Sequence, residues 1–198
     1  MKYRNLMLCF LLLGIMFLST GCSNHRELGN LSVITGFFLE KSQDSYLLIA
    51  DCVNFSEQEQ KSVIRTKPIT VVASSLSDAF SKLNRQSHTP LYFHRAKVFL
   101  LGNNLSEQSA KEIGKELFSG QIVRSDISLL RAEISAEEIG LEPYRGFGLS
   151  LDAQLKKEGF SNNSKLYQLI KDPEKFYEIP TVLLSENGFY LQETNPTK

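Results

Sequence analysis

The first 22 residues decide how much of this chain is free to fold. Lys2 and Arg4 precede an apolar run over residues 6–18, and Ser19-Thr-Gly then leads directly into Cys22. A short basic stretch, an apolar run of this length and small residues before a cleavage point make a secretory signal; the run is too short to span a bilayer comfortably as a permanent helix. A signal that ends on cysteine predicts a bacterial lipoprotein. The small side chains fit a narrow peptidase cleft that cuts between Gly21 and Cys22, and the Cys22 thiol is the nucleophile that accepts a diacylglyceryl group. Ser19 stands three places before the cysteine, where an aliphatic residue is more usual, with Leu18 one place earlier. The chain is therefore divided into a signal peptide (1–21), a lipidated cysteine and tether (22–30), a folded core (31–142), and a helical segment with a terminal hairpin (143–198).

Removing the first 21 of 198 residues leaves 177, enough for one well-buried core. The whole chain has 22 basic and 22 acidic residues, and loss of Lys2 and Arg4 leaves the mature protein at −2. No block of like charges stands out, which argues against nucleic acid as a partner and against an electrostatic membrane patch. Attachment falls to the lipid. Two acyl chains supply on the order of 20 kcal/mol of gross transfer free energy, a permanent anchor. The polar tether 23–30 reaches at most about 27 Å, so the folded part stays near the membrane. Of three cysteines, Cys9 leaves with the signal and Cys22 carries lipid. Cys52, inside the apolar run Leu47-Leu-Ile-Ala-Asp-Cys-Val, reads as a small core residue.

Strands rich in β-branched and aromatic residues are predicted over 31–39 and 46–53 as a hairpin, and over 68–73, 91–101 and 127–134. The stretch 57–61 reads as a charged loop. Ser75 caps a predicted helix that carries Leu76, Ala79, Phe80 and Leu83 on one face, and a second helix over 106–118 presents Ala110, Ile113 and Leu117. Ser135-Ala-Glu-Glu138 is a capping box. Gly146-Phe-Gly148 reads as a flexible point before short helices over 149–158 and 164–171. Asn187-Gly188 then closes a last hairpin. This mixture predicts an α+β fold, a mostly antiparallel or mixed sheet packed with amphipathic helices.

Catalytic patterns find little footing. His25, His88 and His94 have no partner at a metal-binding spacing, and neither a nucleophile elbow nor a phosphate loop is present. Glu137 and Glu138 are adjacent on a helix and do not face each other, so Glu138 is read as a cap. Tyr92, Phe93 and Phe99 on the strand over 91–101 are read as core rather than as a ligand platform, with Arg95 and Lys97 as its charged positions.

Several segments carry a family likeness. Arg26-Glu-Leu28 and Val33-Ile-Thr-Gly36 follow the lipid cysteine, and Leu91-Tyr-Phe-His-Arg-Ala-Lys-Val-Phe-Leu-Leu-Gly102 precedes the helix over 106–118 and Arg124. With Pro180 and its hairpin, their order and spacing resemble the N-terminal part of the spore germination Ger(x)C lipoproteins, the C subunits of nutrient germinant receptors. Ser23-Asn-His25 replaces the family's Trp-Asp, Arg95 replaces its strand histidine, and Asn103-Asn104 replace a glutamate. The resemblance implies a non-enzymatic subunit without cofactor beyond the lipid, on the outer face of the spore inner membrane, packed with integral-membrane A and B subunits in receptor assembly or signalling. Arg26, Glu27, Arg95, Lys97 and Arg124 are its interface candidates. The competing expectation is an envelope substrate-binding lipoprotein, with a cleft lined by convergent polar and aromatic groups; an envelope hydrolase is a third. Labelled palmitate added to growing cells is expected to mark the wild-type chain and not Cys22→Ala.

Overall fold

Strand β1 (Ser32–Ser42) organises the molecule because both of its faces are buried. The computed structural model describes residues 3, 32–42, 44–54, 65–66, 68–140, 146–160, 164–185 and 188–193. Cys22, Arg26, Glu27, His25 and the predicted 57–61 loop lie outside the described residues, as do Glu186 and Asn187 of the last turn. β1 pairs antiparallel with β2 (Ser45–Asn54), the predicted hairpin. The outer side of β2 takes two short strands, β3 (Arg65–Thr66) and β4 (Ile69–Ala73). On its other side β1 runs parallel to β5 (Leu91–Tyr92) and β6 (Val98–Gly102). Beyond β6 come β7 (Ser128–Ala132) and β8 (Thr181–Ser185), both parallel, and β9 (Gly188–Gln192) closes antiparallel on β8. The sheet is mixed, parallel at its centre and antiparallel at both margins, and the fold is α+β as expected.

The register slips by one residue between Ile34 and Gly36, so Thr35 bulges out of the β1–β2 ladder. A bulge inverts the alternation of side chains beyond it. Ile34 and Phe37, three apart, therefore share one face with Leu39, while Phe38 points to the other. Helices α1 (Leu76–Gln86), α2 (Glu107–Ser119) and α5 (Leu166–Lys171) cover the first face. Helices α3 (Ala136–Gly140) and α4 (Phe147–Glu158) cover the second.

The helices start where their sequences say they should. The Ser75 hydroxyl accepts from the Asp78 amide at 3.1 Å, and the Ser106 hydroxyl from the Ser109 amide at 3.2 Å. At α3 the capping box closes both ways: the Ser135 amide donates to Glu138 at 2.7 Å and the Glu138 amide to the Ser135 hydroxyl at 3.3 Å. Leu76, Ala79, Phe80 and Leu83 are buried, as are Ala110, Ile113 and Leu117.

The predicted strand over 91–101 is instead broken. β5 ends at Tyr92, a 3₁₀ turn occupies Phe93–Arg95, and β6 begins at Val98. The cause lies in β1. The Lys97 amide donates to the carbonyl of the bulged Thr35 at 2.8 Å, so the chain must step around that point. The turn swings Phe93 under the helices, 5.9 Å from the Phe37 ring and edge-on to Phe80 at 5.5 Å. Phe99 is buried as expected, whereas Tyr92 is exposed. Phe37 touches Phe80, Phe93 and Phe99. Phe37→Ala is expected to cost about 3–5 kcal/mol in urea unfolding, against less than about 0.5 for Val72→Ala on edge strand β4.

Candidate interaction surface

Three features could carry function: a buried carboxylate, a cleft beside the start of β1, and one end of the sheet. The carboxylate is Asp51, 2 % exposed in the middle of β2. The bulge turns the Thr35 hydroxyl toward it, and that hydroxyl donates to Asp51 Oδ2. The same oxygen accepts from the Gly148 amide at 3.1 Å, in the first turn of α4. Burial pushes the Asp51 pKa above its ordinary 3.8, and the two donors only partly counter it. The Gly146-Phe-Gly148 segment, expected to be flexible, packs closely against the sheet at the start of α4. A Cβ on Gly146 would sit 2.2 Å from Asp51 Oδ2, and one on Gly148 would sit 2.4 Å from the Thr35 carbonyl carbon. Only glycine lets α4 approach this closely. The signal for Asp51 was present as the one charge in the run 47–53; its partners, far along the chain, were not legible.

The cleft, about 520 Å³, is lined by Ser32, Cys52, Ile69, Gln86, His88 and Thr89 among others. Cys52 is buried, as expected, and burial raises its thiol pKa above the ordinary 9.0. His88 and His94 are both exposed. Among the described residues no three His, Cys, Asp or Glu side chains are placed to hold a metal.

At the end of the sheet where β5, β6 and β7 begin, three of the predicted interface residues come together. Arg95 is exposed on the 3₁₀ turn, Lys97 immediately precedes β6, and Arg124 lies just before β7. Arg124 grips Asp126 with two hydrogen bonds of 2.8 Å, an exposed pair of small energetic weight. Lys165, which sequence reasoning passed over, donates to the Ser128 hydroxyl at 2.9 Å at the start of β7. Burial holds its amine below the ordinary 10.5; Asp126 and Asp152 pull it up, and Lys97 and Lys156 push it down. The linear sequence shows no block of like charge, and Lys97, Lys156, Asp126 and Asp152 all stand near enough to Lys165 to act on its amine. The fold gathers cations that the sequence scatters between residues 95 and 165.

The sheet is buried by helices on both faces, and charged side chains are displayed where β6 and β7 begin. The chain belongs to the family described as the spore germination protein N-terminal domain, whose model matches residues 24–186. A role in spore germination goes with that family. No curated protein and no solved structure gives a match.

Asp51 supplies two tests. Asp51→Ala strands the Thr35 hydroxyl and the Gly148 amide and is expected to cost about 1–3 kcal/mol, whereas Asp51→Asn keeps an acceptor and costs less. Because the folded state raises this pKa, it binds the proton more tightly than the unfolded state. The Asp51 contribution is full below 3.8 and is lost as pH rises through the raised folded value. Urea unfolding across acid pH is expected to show that decline in the wild type and not in Asp51→Asn.

Proposed function

We propose that this chain is a non-enzymatic, lipid-anchored subunit of a nutrient germinant receptor. A diacylglyceryl group on Cys22 holds it on the outer face of the spore inner membrane, where it packs with integral-membrane A and B subunits in receptor assembly or signalling. One observation carries the reading: the family match begins at residue 24, two residues past Cys22. The matched region therefore starts just past the predicted lipid site, and the first strand follows ten residues after Cys22. A domain so placed suits a subunit docked on a membrane partner better than a free enzyme.

The envelope substrate-binding alternative draws on the cleft beside Ser32, whose hydroxyls and His88 converge on a space of about 520 Å³. A pull-down from detergent-solubilised spore inner membrane separates the two. Tagged wild type is expected to recover two multi-span receptor subunits, and Cys22→Ala to lose them. Recovery of neither by an abundant, lipidated wild type would overturn the receptor reading in favour of the cleft.

A further inference from the structure

Strands β1, β5, β6 and β7 run parallel; β5 starts level with Ser32, and β6 and β7 start level with Gly36, four residues along β1, so their starts all face the same way. β1 starts there at Ser32, ten residues past Cys22, and the tether must therefore leave from this end. The same end carries Arg95, Lys97, Arg124 and Lys165, with Lys156 close enough to act on Lys165. Asp126 and Asp152 stand there too, paired with Arg124 at 2.8 Å and with Lys156 at 2.6 Å, so the positive excess rests on Arg95, Lys97 and Lys165. Two exposed tyrosines flank it. Tyr92 lies edge-on to His94, and Tyr167 is held there by its amide on the Ser125 carbonyl at 2.9 Å.

The opposite end has the opposite sign. Where β1 and β7 finish stand Glu40, Asp44, Glu133, Glu137 and Glu138, with Lys41 among them. The chain's formal neutrality hides a separation of charge along the strands.

We propose that the basic, tyrosine-flanked end lies against the phosphate headgroups of an anionic phospholipid membrane, so that the sheet stands with the starts of β1, β5, β6 and β7 toward the bilayer. This rests on the Cys22 anchor proposed above and adds what the anchor alone leaves open. A tether that reaches at most about 27 Å limits the distance of the domain from the membrane and leaves its orientation unset. The surface potential of an anionic leaflet decays within roughly 8–10 Å, so it acts only on charges at the near end. It draws the cations in, keeps the acidic end away, and leaves the tyrosines at headgroup level, where their amphipathic rings are favoured.

The chain has no tryptophan, so a single substitution makes a reporter. Tyr92→Trp places one at the basic end and Tyr190→Trp one near the acidic end, roughly 25 Å away along the strand direction. Each lipidated full-length variant is bound to vesicles of phosphatidylcholine with phosphatidylglycerol that carry a headgroup quencher. Quenching of Tyr92→Trp is expected to exceed that of Tyr190→Trp. Adding Arg95→Gln and Lys97→Gln is expected to lower the headgroup-facing population by about five-fold per cation removed, with flotation unchanged. Raising the salt on the reporter alone is expected to act in the same direction, without touching those residues. Equal quenching of the two reporters, or no change when phosphatidylcholine replaces phosphatidylglycerol, would overturn the orientation and leave this end to an acidic protein surface. Failure of the wild type to float with vesicles would instead overturn the anchor itself, and the orientation with it.

Discussion

Everything in this fold depends on one strand being buried on both sides. β1 must serve two cores, and simple alternation would have given each face every second residue from Ile34 onward. The extra residue at Thr35 shifts the parity, so that Phe37 and Leu39 join Ile34 on the α1 and α2 side and Phe38 is left for α4. The same residue offers its carbonyl to Lys97 and its hydroxyl to Asp51. A single bulge thereby sets the core partition, the break between β5 and β6, and the seat of α4.

A carboxylate in the middle of a buried strand is costly, and Asp51 weighs against stability whenever it is ionised. What it contributes is discrimination. The first turn of α4 has only one place where its Gly148 amide meets an acceptor and where the absence of side chains at Gly146 and Gly148 matches the sheet surface. An apolar residue at position 51 would pack without selecting that position of the helix. The charged groups outside the core act at longer range. Their near-cancellation in the total conceals a gradient that no composition figure reports, because the cations come from residues 95, 97, 124, 156 and 165 and meet only in three dimensions.

The parts of this fold legible in the sequence were the local ones. α1, α2 and α3 declared themselves through caps and 3.6-residue periodicity, both of which act within a turn or two. The β1–β2 hairpin and the β8–β9 pair were equally plain. The run 91–101 misled because it holds no glycine or proline, and its break is imposed by a bulge some 60 residues earlier. Gly146-Phe-Gly148 misled for the opposite reason. Glycine marks either freedom or close approach, and only the presence of Asp51 beneath the helix distinguishes them. Arg95, Lys97 and Arg124 were picked out by resemblance, and the fold adds Lys165, whose relation to Ser128 crosses 37 residues.

The bond between Asp51 and Gly148 spans 97 positions, and that separation bears on how the domain reaches its native state. A chain made from its N-terminus delivers the β1–β2 hairpin first, with Phe38 and Ile49 bare on one side. That side stays open until Phe147 and Leu151 arrive, and closing so long a loop is slow. In the interval the ionised, hydrated Asp51 keeps the waiting surface from being uniformly greasy and so disfavours premature sticking. The carboxylate that seats α4 in the finished domain thus lies in the surface that waits longest for its partner.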